Sequence, residues 1–429
     1  MRIVVLEDKI QAKFYKKENR ISNDLIFPIG VGARHYSYKN NWKVLTIGDL
    51  IDKKDFLRAR KESENRIEEL LIDLNNYSIK ISKNFQIKIG DYFSFQLYII
   101  IGQIHYNYYL IQCVLKLLKP HSWLVYLEDS NDFFLDLRPN PKTVFQNILL
   151  NTLNLKNVKT ILIKKNIKLK NKSIKNKIFN LVNDDVIKFL KLIKLSILTK
   201  NVFKNNRSKL LVLLPLYDWK KVLFDTTFQK KYFIKYYFGK IYKEKRSDKE
   251  LRDIINKSIS FSGNPVFNLS RLSDSIFGNI KSMDLKVKSL KKMLKNVKAI
   301  LSTVYVYPWQ NFIAHISKEL TIPIINWQHG EMGLYEDPVT KYVEMKYTTH
   351  YLAYSKGAKK KYNMFLGKNY LEDVFLVGST NKNISWSHKD YILYATGKWM
   401  KTAIPFDESL DFDGRLYNCQ KDILTFLNS

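Results

Sequence analysis

The residues best suited to chemistry lie in one short segment, Ile322-Pro-Ile-Ile-Asn-Trp-Gln-His-Gly330. Its first half is apolar and β-branched, which is typical of a central strand in a parallel sheet. Gln328, His329 and Gly330 follow directly, and ligands of open α/β sheets bind just outside the carboxyl ends of the strands. Histidine is easily tuned near neutral pH, and glycine lets backbone approach a ligand closely. The segment therefore predicts a site, while a strand followed by an ordinary turn explains the same residues equally well.

The sequence around this segment predicts strands that alternate with helices. Apolar residues at helical spacing follow one short apolar run, and further short runs follow the segment itself. This alternation indicates right-handed βαβ units and a parallel sheet, so the predicted fold class is α/β. The predicted strands are 297–304, 351–354, 374–377 and 391–394, and the predicted helices are 309–320 and 356–366.

The first half of the chain predicts three more strands, at 2–7, 122–127 and 209–215. Carboxylates follow two of them and could act as a general base toward an acceptor hydroxyl. They could equally be helix caps or surface charges; these residues are Glu7, Asp8, Glu128, Asp129 and Asp132. An aromatic-rich apolar stretch at 91–118 is interrupted by polar side chains, so it predicts a buried helix and not a membrane span.

Four ordered motifs resemble a known family. Tyr307-Pro-Trp-Gln-Asn, Gln328-His-Gly330, Tyr351-Leu-Ala-Tyr-Ser355 and Val374-Phe-Leu-Val-Gly-Ser379 occur in this order. The set resembles bacterial surface-carbohydrate glycosyltransferases of the capsule or lipopolysaccharide type, which have the GT-B fold with two Rossmann-like halves. Their relatives include capsule transferases that use CMP-activated sugars and CDP-glycerol glycerophosphotransferases. The resemblance covers residues 296–400.

The resemblance implies an acceptor-side half at 1–380 and the start of a nucleotide-donor half at 381–429. It places a transfer site in the cleft between them, lined by Gln328, His329 and Gly330. We expect His329 to act as base or phosphate ligand, with Glu331 and Glu336 as carboxylate alternatives, and Gln328, Gly330 and Glu336 to bind substrate. The expected phosphate-binding residues are Gly378, Ser379, Thr396, Gly397 and Lys398, while the turn at Thr396 and Gly397 could equally be a plain connection between a strand and a helix. Trp309 and Gln310 could stack on and hydrogen-bond a sugar, or Trp309 could belong to the core.

The second half departs from the family pattern. Many members carry a His-Pro pair that contacts the nucleotide phosphate, and this sequence has no His-Pro. Residues 381–429 are also too few for a Rossmann-like half, which needs several strands covered on both faces. We therefore expect a fragment with an incomplete donor half, the alternative being a degenerate protein that borrows a partner.

The charge of the chain is large and uneven. Its 72 Lys and Arg against 40 Asp and Glu give a formal net charge of +32. At 164–206, lysines alternate with apolar residues as in a basic amphipathic helix, which predicts binding to an anionic membrane surface. A helix packed on the domain by its apolar face is the alternative. Nucleic-acid binding would also explain the charge, but no motif that reads bases accompanies it.

Composition and cysteine usage limit the compartment. The hydrophobic content of 45% suits a chain with a sizeable core and more than one domain. Cys113 and Cys419 are far apart, form no metal or redox spacing, and fit a reducing cytoplasm. No signal peptide is evident at Met1.

These observations predict a metal-independent glycosyltransferase, peripheral on the inner face of the cell membrane. It would move a sugar from a nucleotide donor to a lipid-linked bacterial surface glycan, with no cofactor and no nucleic-acid partner. The alternatives are a glycerophosphotransferase of wall-polymer type and a non-catalytic fragment that binds membrane or acceptor.

Overall fold

A computed structural model describes most of the chain up to Gly378. The described residues are 1–18, 23–46, 49–120, 122–128, 144–152, 158–163, 208–213, 219, 222–223, 225–236, 246–261, 263–328, 344–367 and 371–378.

The first part of the chain builds a parallel sheet and two long helices. The strand order is β2-β1-β3-β4, and every neighbouring pair is parallel. The elements are β1 (Arg2–Leu6), α1 (Lys9–Glu18), β2 (Leu25–Pro28), α2 (Val31–Lys39), α3 (Lys53–Ile81), α4 (Ile89–Leu118), β3 (Ser122–Glu128), α5 (Val144–Thr152) and β4 (Val158–Ile163).

The second part builds a larger parallel sheet. Its order is β12-β11-β10-β9-β5-β6, again with only parallel pairs, beside a small antiparallel pair of β7 and β8. The elements are β5 (Ser208–Val212), α6 (Thr226–Lys231), β6 (Tyr232–Tyr236), α7 (Lys249–Ser258), β7 (Ser260–Phe261), β8 (Asn264–Pro265), α8 (Ser270–Leu294), β9 (Val297–Ser302), α9 (Pro308–Glu319), β10 (Ile324–Trp327), β11 (His350–Ala353), α10 (Lys356–Asn363) and β12 (Asp373–Leu376).

Both sheets are buried on two faces, because successive side chains of a strand point in opposite directions. In β1, Ile3 and Val5 enter the main core while Val4 and Leu6 enter a separate cluster. In the second sheet, Leu211, Ile300 and Ile324 enter the main core, and Leu210, Ala299 and Leu301 pack on the other face. Because these strands are buried on both faces, they need apolar residues at successive positions, which explains their apolar runs with little alternation.

The helices α3 and α4 connect the two sheets through one core. The main core contains residues of both sheets together with apolar residues along α3 and α4. The start of α4 approaches α3 so closely that a Cβ on Gly90 would lie 2.1 Å from the Leu71 carbonyl oxygen. Only a glycine fits there, so this contact fixes how the two long helices pack.

The structure confirms the predicted α/β class and parallel sheets. The six predicted strands at 2–7, 122–127, 209–215, 297–304, 351–354 and 374–377 correspond to β1, β3, β5, β9, β11 and β12. The helix predicted at 91–118 is α4, and none of the helices among the described residues is long and apolar enough to cross a membrane. The helix predicted at 356–366 ends earlier, at Asn363.

Two further predictions concern how the chain is divided into halves and segments. The range 1–380, predicted as one Rossmann-like half, holds two separate parallel sheets in its described part. The predicted strand 391–394, the basic segment 164–206 and the start of a donor half at 381–429 lie outside the described residues.

Candidate functional site at the carboxyl end of β10

The strand β10 ends at the predicted site, where Gln328 fixes the chain to the neighbouring strand. The Gln328 backbone N–H donates to the Leu352 carbonyl oxygen at 3.0 Å. Its side-chain Oε1 accepts from the Tyr354 backbone N–H at 2.9 Å. Gln328 is buried and lies at the strand end, as the sequence predicted. Its amide oxygen is used in the hydrogen bond to Tyr354, directly after β11. His329 is the next residue along the chain.

The chain returns to the same strand at Glu344. Asn326, two residues before Gln328, donates its Nδ2 to the Glu344 carbonyl oxygen at 2.8 Å and to Thr348 Oγ1 at 2.7 Å. Asn326 Oδ1 accepts from the Tyr305 hydroxyl at 3.1 Å. The amide of Asn326 is fully buried and uses its two donors and its acceptor, as a buried polar group must. Gln328 and Glu344, the two residues that flank the segment 329–343, therefore both lie at the carboxyl end of β10.

The carboxyl group of Glu344 lies in a buried cluster of phenols. Oε2 accepts from the Tyr351 hydroxyl at 2.6 Å and from the Tyr362 hydroxyl at 3.1 Å, and the two phenolic oxygens are 2.9 Å apart. Oε1 is buried with no hydrogen-bond partner among the described residues. Burial raises the pKa of Glu344 to about 7, although the two phenols favour the charged form. Glu344 is therefore poised between neutral and charged near physiological pH.

The residues after Glu344 tie the site to the helical core. The Lys346 ammonium lies 3.3 Å from Asp91 Oδ2 at the start of α4. The ring of Tyr347 stacks on His315 of α9, whose Nδ1 lies 2.6 Å from the Tyr92 hydroxyl. Burial, with Lys88 and Lys346 nearby, lowers the pKa of His315 to about 4, so this imidazole is neutral at neutral pH. The returning chain is thus held by both α4 and α9.

Two indoles lie on the opposite face of the sheet at the same edge. Trp219 and Trp327 pack edge to face with ring centroids 5.1 Å apart. Trp219 Nε1 donates to the Ser302 carbonyl oxygen at the end of β9, at 2.7 Å. Both rings are buried. They close that face of the sheet and stiffen the strand end from which residues 329–343 leave.

Trp309 and Gln310, predicted as sugar contacts, have structural partners. The Trp309 indole is 2% exposed, packs edge to face on Phe312, and donates Nε1 to Asn279 Oδ1 at 3.2 Å. This is the core position that the sequence left open as the alternative. Gln310 Oε1 accepts from the Tyr307 backbone N–H at 3.0 Å as part of the capping box of α9. Both side chains therefore hold α9 in place.

Of the five predicted phosphate-binding residues, the structure describes Gly378. It follows β12 with a φ of +68°, a conformation that glycine adopts without strain. The preceding Val377 backbone N–H donates to the Ala353 carbonyl oxygen at 3.0 Å, which holds this turn against β11. Ser379, Thr396, Gly397 and Lys398 lie outside the described residues.

The predicted catalytic residues also lie outside the described part of the chain. These are His329 and Glu331, together with the predicted substrate-binding residues Gly330 and Glu336. The structure defines the two ends of the segment that carries them. Within the described residues, no group of three or more His, Cys, Asp or Glu side chains could hold a metal ion.

The strand-end carboxylates of the first sheet are engaged in structural contacts. Asp8 Oδ1 accepts from the backbone N–H groups of Ile10 and Gln11 and caps α1. Glu7 Oε1 accepts from the Gln146 backbone N–H at 3.1 Å. These are the cap-like roles that the sequence offered as the alternative to a general base. Asp129 and Asp132, and the side chain of Glu128, lie outside the described part.

Sequence reasoning missed the residues that organise this edge. Asn326 lies within the motif itself, and the signal that points to it is an asparagine between apolar neighbours in a buried strand. Glu344 gave no local signal, because its partners Tyr351 and Tyr362 become neighbours only through the sheet and α10.

Comparisons with models of protein families, with curated proteins and with solved structures found no match to this chain. The four ordered motifs and the geometry at the carboxyl end of β10 are therefore the basis for any functional assignment.

Proposed function

We propose that this protein is a glycosyltransferase of the GT-B type that moves a sugar from a nucleotide donor to a lipid-linked bacterial surface glycan. The observation that carries the proposal is the Asn326 side chain bound to the Glu344 carbonyl oxygen at 2.8 Å. This contact holds Glu344, the residue that follows the segment 329–343, close to the carboxyl end of a central parallel strand, where ligands of α/β sheets bind. The segment contains His329 and Gly330 of the Gln-His-Gly motif and two glutamates, Glu331 and Glu336.

The chemistry assigned to this segment has two parts. An acceptor hydroxyl must lose a proton as it attacks, and the departing nucleotide phosphate must be stabilised. His329 serves as the base or as the phosphate ligand, and Glu331 and Glu336 are the carboxylate alternatives for the base. Glu344 is fully buried, so we assign it a positioning role and not contact with substrate.

The spacing of the strands supports a donor site beside this segment. Strand β12 lies two positions from β10 in the sheet. Neighbouring strands are about 4.8 Å apart, so Gly378 at the end of β12 lies on the order of 10 Å from the end of β10. This separation suits a sugar diphosphate laid along the sheet edge. Ser379, Thr396, Gly397 and Lys398 continue the phosphate site in this proposal.

The presence of two parallel sheets in one chain supports a Rossmann-like enzyme. In the proposal, both sheets belong to the acceptor side at 1–380, and the donor nucleotide is bound by the carboxyl edge of the second sheet together with residues 381–429. The protein acts at the inner face of the cell membrane, where lipid-linked acceptors are presented. A direct sugar transfer of this kind needs no metal ion and no cofactor besides the donor.

The test is a transfer assay with a panel of nucleotide donors. Purified protein is given CMP-, CDP-, UDP- and GDP-sugars and CDP-glycerol with lipid-linked acceptors, and product and released nucleotide are measured. His329→Ala should lower turnover by about 10²-fold or more, the scale of a positioned acid-base group. His35→Ala is the matched control, since His35 is an exposed histidine on α2.

Three outcomes would count against the proposal. One is no transfer from any donor, and another is full turnover by the His329→Ala variant. Transfer from CDP-glycerol alone would instead assign the protein to the glycerophosphotransferases.

A further inference from the structure

The solvent face of α8 carries a straight row of lysines that ends beside an exposed leucine. The buried face of this helix contributes regularly spaced apolar residues to the main core, from Leu272 to Leu294. The opposite face exposes Leu285, Lys288, Lys292 and Lys295. Their spacing of three, four and three residues places them in one stripe. We call these four residues the α8 stripe.

The acidic groups that border the stripe are engaged elsewhere. Asp284 accepts from the backbone N–H groups of Lys83 and Asn84, and Glu319 pairs with Lys291 at 3.3 Å. Lys288, Lys292 and Lys295 have no ion-pair partner among the described residues. The stripe therefore presents three lysines to solvent that form no ion pair within the described part of the chain.

The stripe leads to the amino edge of the second sheet. The helix α8 ends at Leu294, and β9 begins at Val297 with Lys298 exposed beside it. Lys209 of β5 lies opposite Val297 in the register. Lys209 and Lys298 are both exposed and thus add positive charge at the edge of the second sheet where the α8 stripe ends.

Leu285 distinguishes the stripe from an ordinary solvated helix face. Its side chain is 78% exposed, the highest exposure of any large hydrophobic residue among the described residues. An isolated exposed leucine is common in proteins, but one in line with three unpaired lysines has the composition of a helix that lies in a lipid interface. The lysines bind the headgroups and the leucine enters the acyl boundary.

We propose that the α8 stripe docks this protein on a membrane surface rich in anionic lipid. The proposal rests on the proposed function for the identity of the polyanion, since a lipid-linked acceptor lies on such a surface. The residue types favour lipid over nucleic acid. The row spans about 15 Å of helix, its charges are flexible lysines and not phosphate-clamping arginines, and it has no aromatic side chain on which a base could stack.

The test is sedimentation of the full chain with vesicles of phosphatidylcholine, with and without phosphatidylglycerol. The variant Lys288→Gln/Lys292→Gln/Lys295→Gln should bind the anionic vesicles roughly a hundredfold more weakly, since each lysine contributes about fivefold near an anionic leaflet. The matched control removes the same charge from exposed lysines on α1 and α3, as Lys13→Gln/Lys17→Gln/Lys61→Gln. It should bind nearly as well as the wild type.

A second pair of variants tests the apolar contact. Leu285→Ala should weaken vesicle binding by up to about tenfold, because less apolar surface enters the lipid. Leu117→Ala, at another exposed leucine near the end of α4, should leave binding unchanged. Equal losses in the two lysine variants, or RNA that binds the stripe where anionic vesicles do not, would overturn the inference.

These measurements use no sugar donor, so they separate the inference from the proposed function. Vesicle binding through the stripe without any transferase activity would retain the docking surface and reject the enzyme. Transfer to a water-soluble acceptor by a protein that does not bind anionic vesicles would retain the enzyme and reject the docking surface.

Discussion

The two sheets each place a buried glutamate near the end of a strand, but the two carboxyl groups have different surroundings. Glu7, after β1, lies in a closed network in which Gln11 and Gln146 bond to each other and to the backbone around it. Glu344, whose carbonyl is bound by Asn326 of β10, has two phenols as the hydrogen-bond partners of its carboxyl group within the described part of the chain. One acid completes a structural network, while the other keeps a proton near neutral pH.

This difference agrees with the choice of the second sheet as the site of the proposed function. A carboxylate that accepts a backbone N–H at a helix start is stabilised in its charged form and has a structural role. A carboxyl group with a pKa of about 7, fixed where a long segment rejoins the sheet, leaves that segment sensitive to its surroundings. Under the proposed function, the activity belongs to the second sheet, and the first sheet supports it.

The largest effect should come from breaking the amide that closes the segment 329–343. Asn326→Leu removes three buried hydrogen bonds, one from the Tyr305 hydroxyl and two to the Glu344 carbonyl oxygen and Thr348 Oγ1, so it should cost on the order of 4 kcal/mol of unfolding free energy. Transfer activity should also fall by at least about tenfold, because the loop that carries His329 loses its anchor. Urea denaturation and the transfer assay measure the two effects.

Gln146→Leu is the matched change at the first sheet. It removes a buried amide that donates to Gln11 Oε1 and to the Val5 carbonyl oxygen, so it should destabilise the fold by about 2 kcal/mol. Turnover per folded molecule should stay at the wild-type level. If this variant loses turnover as Asn326→Leu does, the contrast between the two edges is wrong.

The second effect concerns pH. Below about pH 4.5 the Glu344 carboxyl is protonated in both the folded and the unfolded chain. As pH rises from there to about 7, the unfolded chain releases this proton while the folded chain retains it, so folding becomes less favourable. The stabilising proton is lost from the folded chain as pH passes its pKa. Glu344→Gln removes this titration but keeps an oxygen that accepts from the phenols.

Relative to wild type, Glu344→Gln should gain on the order of 3 kcal/mol in unfolding free energy between pH 4.5 and pH 8. Chemical denaturation at several pH values measures the difference between the two proteins, in which the titration of His105 and His315 cancels. A difference that stays constant over this range would show that Glu344 titrates as an ordinary glutamate.

The sequence predicted those features of the two sheets that depend on the local pattern of apolar and polar residues. Apolar runs bounded by polar residues identified β1, β3, β5, β9, β11 and β12, because a strand buried on both faces needs them. The order of the motifs also located the carboxyl end of β10, where Gln328 lies. In these cases, the residues that form the sequence pattern are the same residues that form the strand, or lie within a few positions of it.

The missed features depend on contacts between distant residues. Glu344 meets Tyr362 only because α10 packs on β11 and β12, and Trp219 meets Trp327 only across the second sheet. The indole of Trp309 was equally consistent with a core and a sugar contact, since burial decides between them and burial depends on how α9 and α8 pack. Periodicity gives the elements, but the partners of a polar side chain require the fold.

The smallest effect should come from one phenol of the cluster. Tyr362→Phe removes a hydroxyl that donates to Glu344 Oε2 at 3.1 Å, and the loss of one buried hydrogen bond should cost about 1 kcal/mol. Because that donor favours the charged carboxylate, its removal should raise the pKa of Glu344 further. The pH at which stability stops falling should therefore move upward, and chemical denaturation above pH 7 measures this shift.

Tyr36→Phe, on α2 beside the first sheet, is the control for this last prediction. Tyr36 packs edge to face on Trp42, and the variant keeps this ring contact. Tyr36 belongs to α2, beside the first sheet, whereas Glu344 lies beside the second. Its pH profile should match that of the wild type. If Tyr362→Phe leaves the profile equally unchanged, the phenols do not influence the carboxyl, and the sensitivity of this edge to pH must come from desolvation of Glu344 alone.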